Sequence, residues 1–419
     1  MTWFTWLGVV MLVATIYFLL KRYDARLVLL SSGIIMACSV KTPMAALDAF
    51  AKSMTNGGLI QAICSVMGFA LVMKYTECDK HLINLIGNGL RKVRPLLIPG
   101  AVLGTFLINI ALPSAAGTAA AVGAIFIPIL MSAGVHPAMA AAAVKSGTYG
   151  SMLNPGLAHN PFVAKIAGVD VMDVINFHYV ANITSVILAG IIITALAYFL
   201  KENKGYENEN VQLDASFKPN IFYAIVPIIP IAILLLGAKG IVPMFKMGVA
   251  PAMIIGSIIA LAVTRKNPAQ LVKAFFDGMG NAYAEIMGII IAAGVFVSGM
   301  QAMGLVDAFI NAMTNSPSIV KICAAIGPFI LGTISGSGDA ATFAFNEAIT
   351  PRAAEFGLSS LQMGSMATLS GTLGRTMSPI AGATIICAGI AGVNPVEVAK
   401  RTCPGMIVAM IVGMFLLLF

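Results

Sequence analysis

Charge is what this sequence has least of. Only 10% of its 419 residues are charged, against 59% that are apolar, where a water-soluble domain carries about 25% charged residues. Too few charges remain to coat a water-facing surface, so a soluble globular chain is excluded and no appended soluble domain is expected. The six cysteines (Cys38, Cys64, Cys78, Cys323, Cys387 and Cys403) are scattered without a CxxC pair. That leaves them as small buried hydrophobes rather than a disulfide frame. HExxH, GxxxxGK[ST] and GxSxG are also absent, which argues against an enzyme and against ATP-driven transport within the chain. The formal charge of +8 collects on no face or stripe, so no nucleic-acid partner is expected.

Long apolar runs are what the chain does have, for example 221–236 and 406–419. About 20 apolar residues match the hydrocarbon thickness of a bilayer, so the fold class is an all-α polytopic membrane protein in contact with lipid. The run from Trp3 to Leu20 has no basic residue before it and Lys21, Arg22 and Arg26 after it, the reverse of a secretory signal. It reads as a retained first span with its N-terminus outside. About ten spans are expected: 3–21, 26–40, 57–75, 137–165 (interrupted), 174–200, 219–238, 247–264, 281–302, 355–391 (interrupted) and 402–419. Stretches 95–133 and 318–350 break at small and polar residues and then resume. Inside a membrane such a break survives only when covered by protein or lining a cavity, so both read as re-entrant hairpins. Segments 44–54, 81–90, 269–279 and 305–313 have helical periodicity but are short, and read as interfacial arms. The hydrophilic stretch 201–218 reads as a cytoplasmic linker between an N-terminal repeat, 1–200, and a C-terminal repeat, 219–419.

The two halves resemble each other. Displaced by 224 residues, 146–174 overlies 370–398 with 11 of 29 positions identical. Pro43, Ala49, Phe50 and Met54 match Pro268, Ala274, Phe275 and Met279, and Ser114, Pro128 and Gly134 match Ser337, Pro351 and Gly357. Collinear Pro, Gly and Ser matches at three places indicate a duplication. Five crossings per half would turn the second copy upside down, the inverted repeat of many secondary carriers. The charges agree: sixteen lysines and arginines fall on the side assigned to the cytoplasm and seven on the other, as the positive-inside rule requires.

The chemistry is expected at the breaks. The first hairpin tip carries Pro113, Ser114, Gly117 and Thr118, and the second Ser335, Gly336, Ser337, Gly338, Asp339 and Thr342. Small residues let a backbone approach a ligand, hydroxyls donate to carboxylates, and the half-helix after each tip presents unpaired N–H groups. Close helix packing is the competing explanation for the small residues. The interrupted helices break at 150–156 and 374–380. There Pro155 and Pro379 release carbonyls, which together with Asn154 or Ser378 suit Na⁺ or a proton network; a plain proline kink competes. Arg375, with Thr376 beside it, is the candidate for substrate charge, because a cation at mid-membrane is costly and a guanidinium clamps a carboxylate. Asp339 either pairs with Arg375 in the empty site, carries the coupling proton, or selects a positive substrate group. Glu285, Glu347 and Lys145 are lesser candidates, Lys145 as a side chain that snorkels to the interface. Of the histidines, His159 lies beside a break; His81, His136 and His178 read as interfacial.

Through the segments 335–345 (SGSGDAATFAF), 372–382 (TLGRTMSPIAG), 392–402 (GVNPVEVAKRT) and 292–304 (AAGVFVSGMQAMG), the sequence resembles the DcuC family of anaerobic C4-dicarboxylate carriers, within the ion transporter superfamily. The resemblance implies an elevator-type fold, with a transport domain holding both hairpins and both broken helices. It also implies succinate, fumarate or malate as substrates, by exchange or with Na⁺ or H⁺ as the coupling ion and no other cofactor. A homodimer in the bacterial inner membrane follows on the same ground. A Na⁺/H⁺ antiporter, or a carrier of another small carboxylate or amino acid on the same fold, is the alternative.

Overall fold

The computed structural model describes all residues except 1–2, 22, 92–95, 207–216 and 309–316. Most of the expected linker, part of the arm at 305–313, and Arg22, Lys92 and Arg94 therefore lie outside the described residues. Every regular element among the described residues is helical. The first half runs α1 (Trp3–Leu20), α2 (Ala25–Ser39), α3 (Pro43–Met54), α4 (Gly57–Thr76), α5 (Cys78–Arg91), α6 (Leu97–Ala111), α7 (Ala115–Ser132), α8 (Pro137–Ser146), α9 (His159–Ala167) and α10 (Val171–Phe199). The second runs α11 (Ile221–Ile225), α12 (Ile229–Ala238), α13 (Val249–Thr264), α14 (Pro268–Ala282), α15 (Gly288–Ala302), α16 (Pro317–Ser335), α17 (Gly338–Ala348), α18 (Ser360–Met377), α19 (Gly382–Ala391) and α20 (Pro395–Leu418). Among the described residues, seven stretches are long and apolar enough to cross a membrane, and five shorter apolar helices accompany them.

The aligned residues of the two halves fall at matching places. Pro43 and Pro268 open α3 and α14, where a missing N–H costs nothing. Ser114 and Ser337 are the N-caps of α7 and α17. Gly168 and Gly392 end α9 and α19 with φ of +68° and +66°, the left-handed stop that glycine takes without strain. Packing is paired in the same way. α2 lies on α15 and α13 on α4; α3 lies on α15 and α14 on α4; α7 packs α19 and α9 touches α17; α8 meets α20 and α10 meets α18.

Two of these contacts are backbone-close. A Cβ on Gly33 would meet the Val295 carbonyl and one on Gly299 the Gly33 carbonyl; likewise Gly68 faces the Phe275 carbonyl and Gly278 the Met67 carbonyl. Small residues at such crossings let helices approach without hydrophobic driving force from lipid.

One expectation needs correcting. Segment 269–279 is not a separate interfacial arm. It is continuous with α15 through one π turn, Tyr283–Met287. In the first half, Gly57 and Gly58 follow the Asn56 cap and part α3 from α4. The second half has Ala282 and Tyr283 in their place, which let the helix run on.

Candidate functional site

The chain turns between α6 and α7 and between α16 and α17, and the α-helix is interrupted between α8 and α9 and between α18 and α19. At the first tip Ser114 Oγ caps α7, accepting from Gly117 N at 3.1 Å. Thr118 Oγ1 donates to Leu112 O and accepts from Asn109 Nδ2, each at 3.0 Å. Asn109 Oδ1 also accepts from Ser151 N at 2.9 Å, tying the hairpin to the break. Asn154 is buried with both polar atoms engaged: Nδ2 donates to Ile110 O at 2.7 Å and Oδ1 accepts from Gly156 N at 2.8 Å. The carbonyls of Met152 and Asn154 are held by Asn160 Nδ2 at 2.8 and 2.9 Å. Carbonyls freed around Pro155 are therefore closed by side chains. Asn109 and Asn160 were missed in the sequence reading, although an Asn within LINIA or AHNPF is the kind of isolated polar residue that marks such a staple.

At the second tip Ser335 Oγ lies 2.6 Å from Leu331 O and 2.8 Å from Ser337 O, so it holds its own turn. Gly338 and Gly332 both pack on the Gly371 carbonyl, and a Cβ on Gly371 would overlap the Thr342 hydroxyl. Close packing thus accounts for Gly338. Thr376 Oγ1 donates to Thr372 O at 2.9 Å, while Ser378 accepts from Ile380 N at 3.3 Å and, through its carbonyl, from Thr384 Oγ1 at 2.7 Å. Beside them stands Pro379.

The ions are arranged differently from expectation. Asp339 does not pair with Arg375; its Oδ1 lies 3.2 Å from His159 Nε2. His159 opens α9, after the first break, and its ring stacks on Phe343 of α17 with centroids 4.4 Å apart. The His159 ring is 5% exposed and the Asp339 side chain 42%, so the carboxylate has one open side. The Arg375 guanidinium turns instead toward the first break, with Nη2 3.5 Å from Thr148 O. Lys145 does not snorkel. It is 0% exposed, because α6, α7, α10, α19 and α20 pack around α8, and its Nζ lies 3.4 Å from Arg375 O.

His178 also departs from its interfacial expectation: it is buried against Asn182, 2.9 Å from Nδ1 to Nδ2. Glu285 stays exposed at the π turn, next to the Ala284 carbonyl that accepts from Arg26. Among the described residues, nine side-chain polar atoms are buried without a hydrogen-bond partner: His178 Nε2, Asn182 Oδ1, Ser185 Oγ and Ser365 Oγ elsewhere, and Ser146 Oγ, Tyr149 OH, His159 Nδ1, Thr342 Oγ1 and Arg375 Nε here. Orphaned polar atoms carry a desolvation cost, and these five come from the two breaks and the second tip.

Two cavities lead to the tips. One of about 840 Å³ is lined by Ser114, Gly117 and Thr118 and by Lys74, Asp79 and Lys80. The other, of about 660 Å³, lies between Ser335, Ser337 and Ala340 on one side and α1, α2 and α15 on the other.

An all-helical bundle with seven stretches long and apolar enough to cross a membrane among the described residues has the architecture of a polytopic membrane protein. Its fold is similar to the crystal structure of the Alcanivorax borkumensis YdaH transporter, with a TM-score of 0.58 and 15% identity over 88% of this chain and 86% of that one. The family described as DcuC, C4-dicarboxylate anaerobic carrier, matches residues 5–419, and the chain belongs to it. It is 42% identical over 280 residues to an uncharacterized transporter of Haemophilus influenzae, covering 64% of this chain and 99% of that one. It is also 26% identical to the anaerobic C4-dicarboxylate transporter DcuC of Escherichia coli K12, covering 97% and 94%.

Proposed function

We propose that this chain is a secondary carrier of C4-dicarboxylates (succinate, fumarate or malate) in the bacterial inner membrane, working by exchange or cation symport. The observation that carries the proposal is Arg375. It is a cation at a helix break, with Nε buried and unpartnered, across from a hairpin tip whose carboxylate is held by another residue. A carboxylate from outside can take both guanidinium edges. The names of the DcuC relatives support the four-carbon class.

The architecture we propose is two inverted repeats, 1–200 and 219–419, joined by a cytoplasmic linker at 201–218. The matched caps and paired packing support it. In this reading the hairpins 95–133 and 318–350 are re-entrant and the helices 137–165 and 355–391 cross interrupted. The hairpin-bearing part then moves as an elevator, in a homodimer. Ser114, Thr118, Ser337, Asp339, Thr342 and Arg375 face the substrate. Asn154, Thr376, Ser378, Pro155 and Pro379 hold the breaks in shape.

Uptake of labelled succinate into proteoliposomes tests the proposal. Wild type is expected to transport, and Arg375→Ala to lose transport nearly completely while still folding. Wild-type succinate affinity in Arg375→Ala would remove this residue from the site. No uptake under any ion gradient, with Na⁺-driven proton movement intact, would replace the proposal with an antiporter in which Asp339 carries the ion.

A further inference from the structure

Pro379 has no N–H, so the carbonyl of Arg375, four residues earlier, loses its helical donor. In a broken transporter helix such a carbonyl is where a coupling cation binds. Here an amine is already there, and it belongs to the chain: Lys145 Nζ lies 3.4 Å from Arg375 O. The other donor to that carbonyl is Ser378 N, at 3.2 Å in a tighter turn. Lys145 is wholly removed from solvent and no carboxylate lies within ion-pair reach of it among the described residues. Its ionisable neighbours are the Arg375 guanidinium and the Cys387 thiol.

The arrangement is reciprocal, because Arg375 Nη2 lies 3.5 Å from Thr148 O, just past the end of the helix that carries Lys145. Lys145 thus reaches a carbonyl at the second break and Arg375 one just before the first, through long contacts that a carboxylate could displace at little cost. The first break offers a cation less. Its carbonyls at Met152 and Asn154 are held by Asn160, and that of Ser151 by Asn154 N at 2.8 Å.

We propose that Lys145 is a tethered cation in the coupling-ion position of the second break. It supplies the second positive charge for a dianion, and the carrier needs no Na⁺ there. A tethered charge cannot be released on the far side. It therefore returns with the moving part, which suits exchange of one dianion for another. This inference rests on the dicarboxylate reading above.

The test is succinate–succinate exchange by the full chain in proteoliposomes, with Na⁺ replaced by the bulky cation N-methylglucamine. Wild type is expected to exchange equally fast in both media. Lys145→Ala opens a space of side-chain size. It should slow exchange by at least about tenfold, the worth of one charge-assisted bond, and Na⁺ or methylammonium should restore most of the rate. Lys145→Met fills the space without charge and should stay slow under both additions. Na⁺ dependence of the wild type would overturn the inference. So would wild-type exchange by Lys145→Ala without small cations, or a slow Lys145→Ala that neither cation improves. If Lys145→Ala does not fold, Lys145→Met carries the test, and its exchanging at the wild-type rate overturns the inference.

Should wild type exchange no succinate in any medium, the dicarboxylate reading fails by itself. The lysine is then tested by thermal unfolding, where methylammonium should raise the midpoint of Lys145→Ala and not that of Lys145→Met. Equal responses of the two variants overturn the tethered-cation role.

Discussion

Removing Arg401 is expected to be among the most destabilising single changes in the chain. Its guanidinium reaches from α20 to the segment after α10, where Nε donates to Glu202 Oε2 at 2.7 Å and Nη2 to Oε1. Nη1 turns back to Glu397, 2.9 Å from Oε2. The Glu202 and Arg401 side chains are only 8% and 10% exposed. His136 sits 3.9 Å from Glu202 but does not replace the arginine. Its Nδ1 already accepts from Ala138 N at 3.2 Å, and burial pushes its pKa below the usual histidine value. Arg401→Met therefore leaves a buried carboxylate without a counter-charge. Such a break costs about 3–5 kcal/mol, which at about 1.4 kcal/mol per decade shifts the folding equilibrium by two to nearly four powers of ten.

Denaturant titration in detergent, followed by circular dichroism, measures the loss. Glu397→Gln, on a carboxylate that is 41% exposed, should shift the unfolding midpoint far less than Arg401→Met, because water screens an exposed pair. The double change Arg401→Met with Glu202→Leu should recover most of the stability, because the orphaned charge goes with its partner. A loss below about 1 kcal/mol for Arg401→Met, or a double variant no better than the single one, would refute the reasoning.

Other expectations follow from single contacts. His159→Phe keeps the stack on Phe343 and frees Asp339, which can then reach toward Arg375; succinate should stabilise this variant less in a thermal-shift series, and Asp339→Asn in the same background should restore the response. Gly371→Ala places a methyl on the Thr342 hydroxyl and should cost about 1–3 kcal/mol as overpacking, read as a lower unfolding midpoint, with Thr342→Ala, which removes that hydroxyl, relieving part of it. Asp24 caps α2 and is held by Arg26, which lowers its pKa from 3.8 to about 2. A depressed carboxylate stabilises above its unfolded pKa, and that support fades as pH falls through the folded one. Amide exchange at Arg26 and Leu27, corrected for the intrinsic rate, should therefore rise between pH 4 and 2 in wild type and show no such step in Asp24→Asn.

The sequence reveals the turns better than the partners. Ser114 and Ser337 are legible as tip residues because small and hydroxyl-bearing residues let a backbone turn tightly; of the two, Ser114 caps its helix with its side chain and Ser337 does not. Pro155 and Pro379 mark breaks because the missing N–H is a property of the residue itself. The ion pairing is another matter. His159 and Asp339 are 180 residues apart and meet only because α9 and α17 both pack on α18. No local pattern encodes that. Lys145 sits near the end of an alanine-rich helix, where hydropathy alone suggests an escape to water; the five helices that cover it come from both halves. The run through Tyr283 was missed because its repeat mate, at Gly57 and Gly58, does break, and duplication invites the assumption that both copies bend alike.

That difference has a mechanical side. Pro268–Ala302 forms one helical stretch of 35 residues, a strut about 50 Å long at 1.5 Å per residue. Within it the π turn at Tyr283–Met287 is the point where a bend costs least. Its counterpart is two pieces, α3 and α4, joined at a glycine pair. The same aligned positions thus give an uninterrupted helix in the second half and two helices joined at a glycine pair in the first.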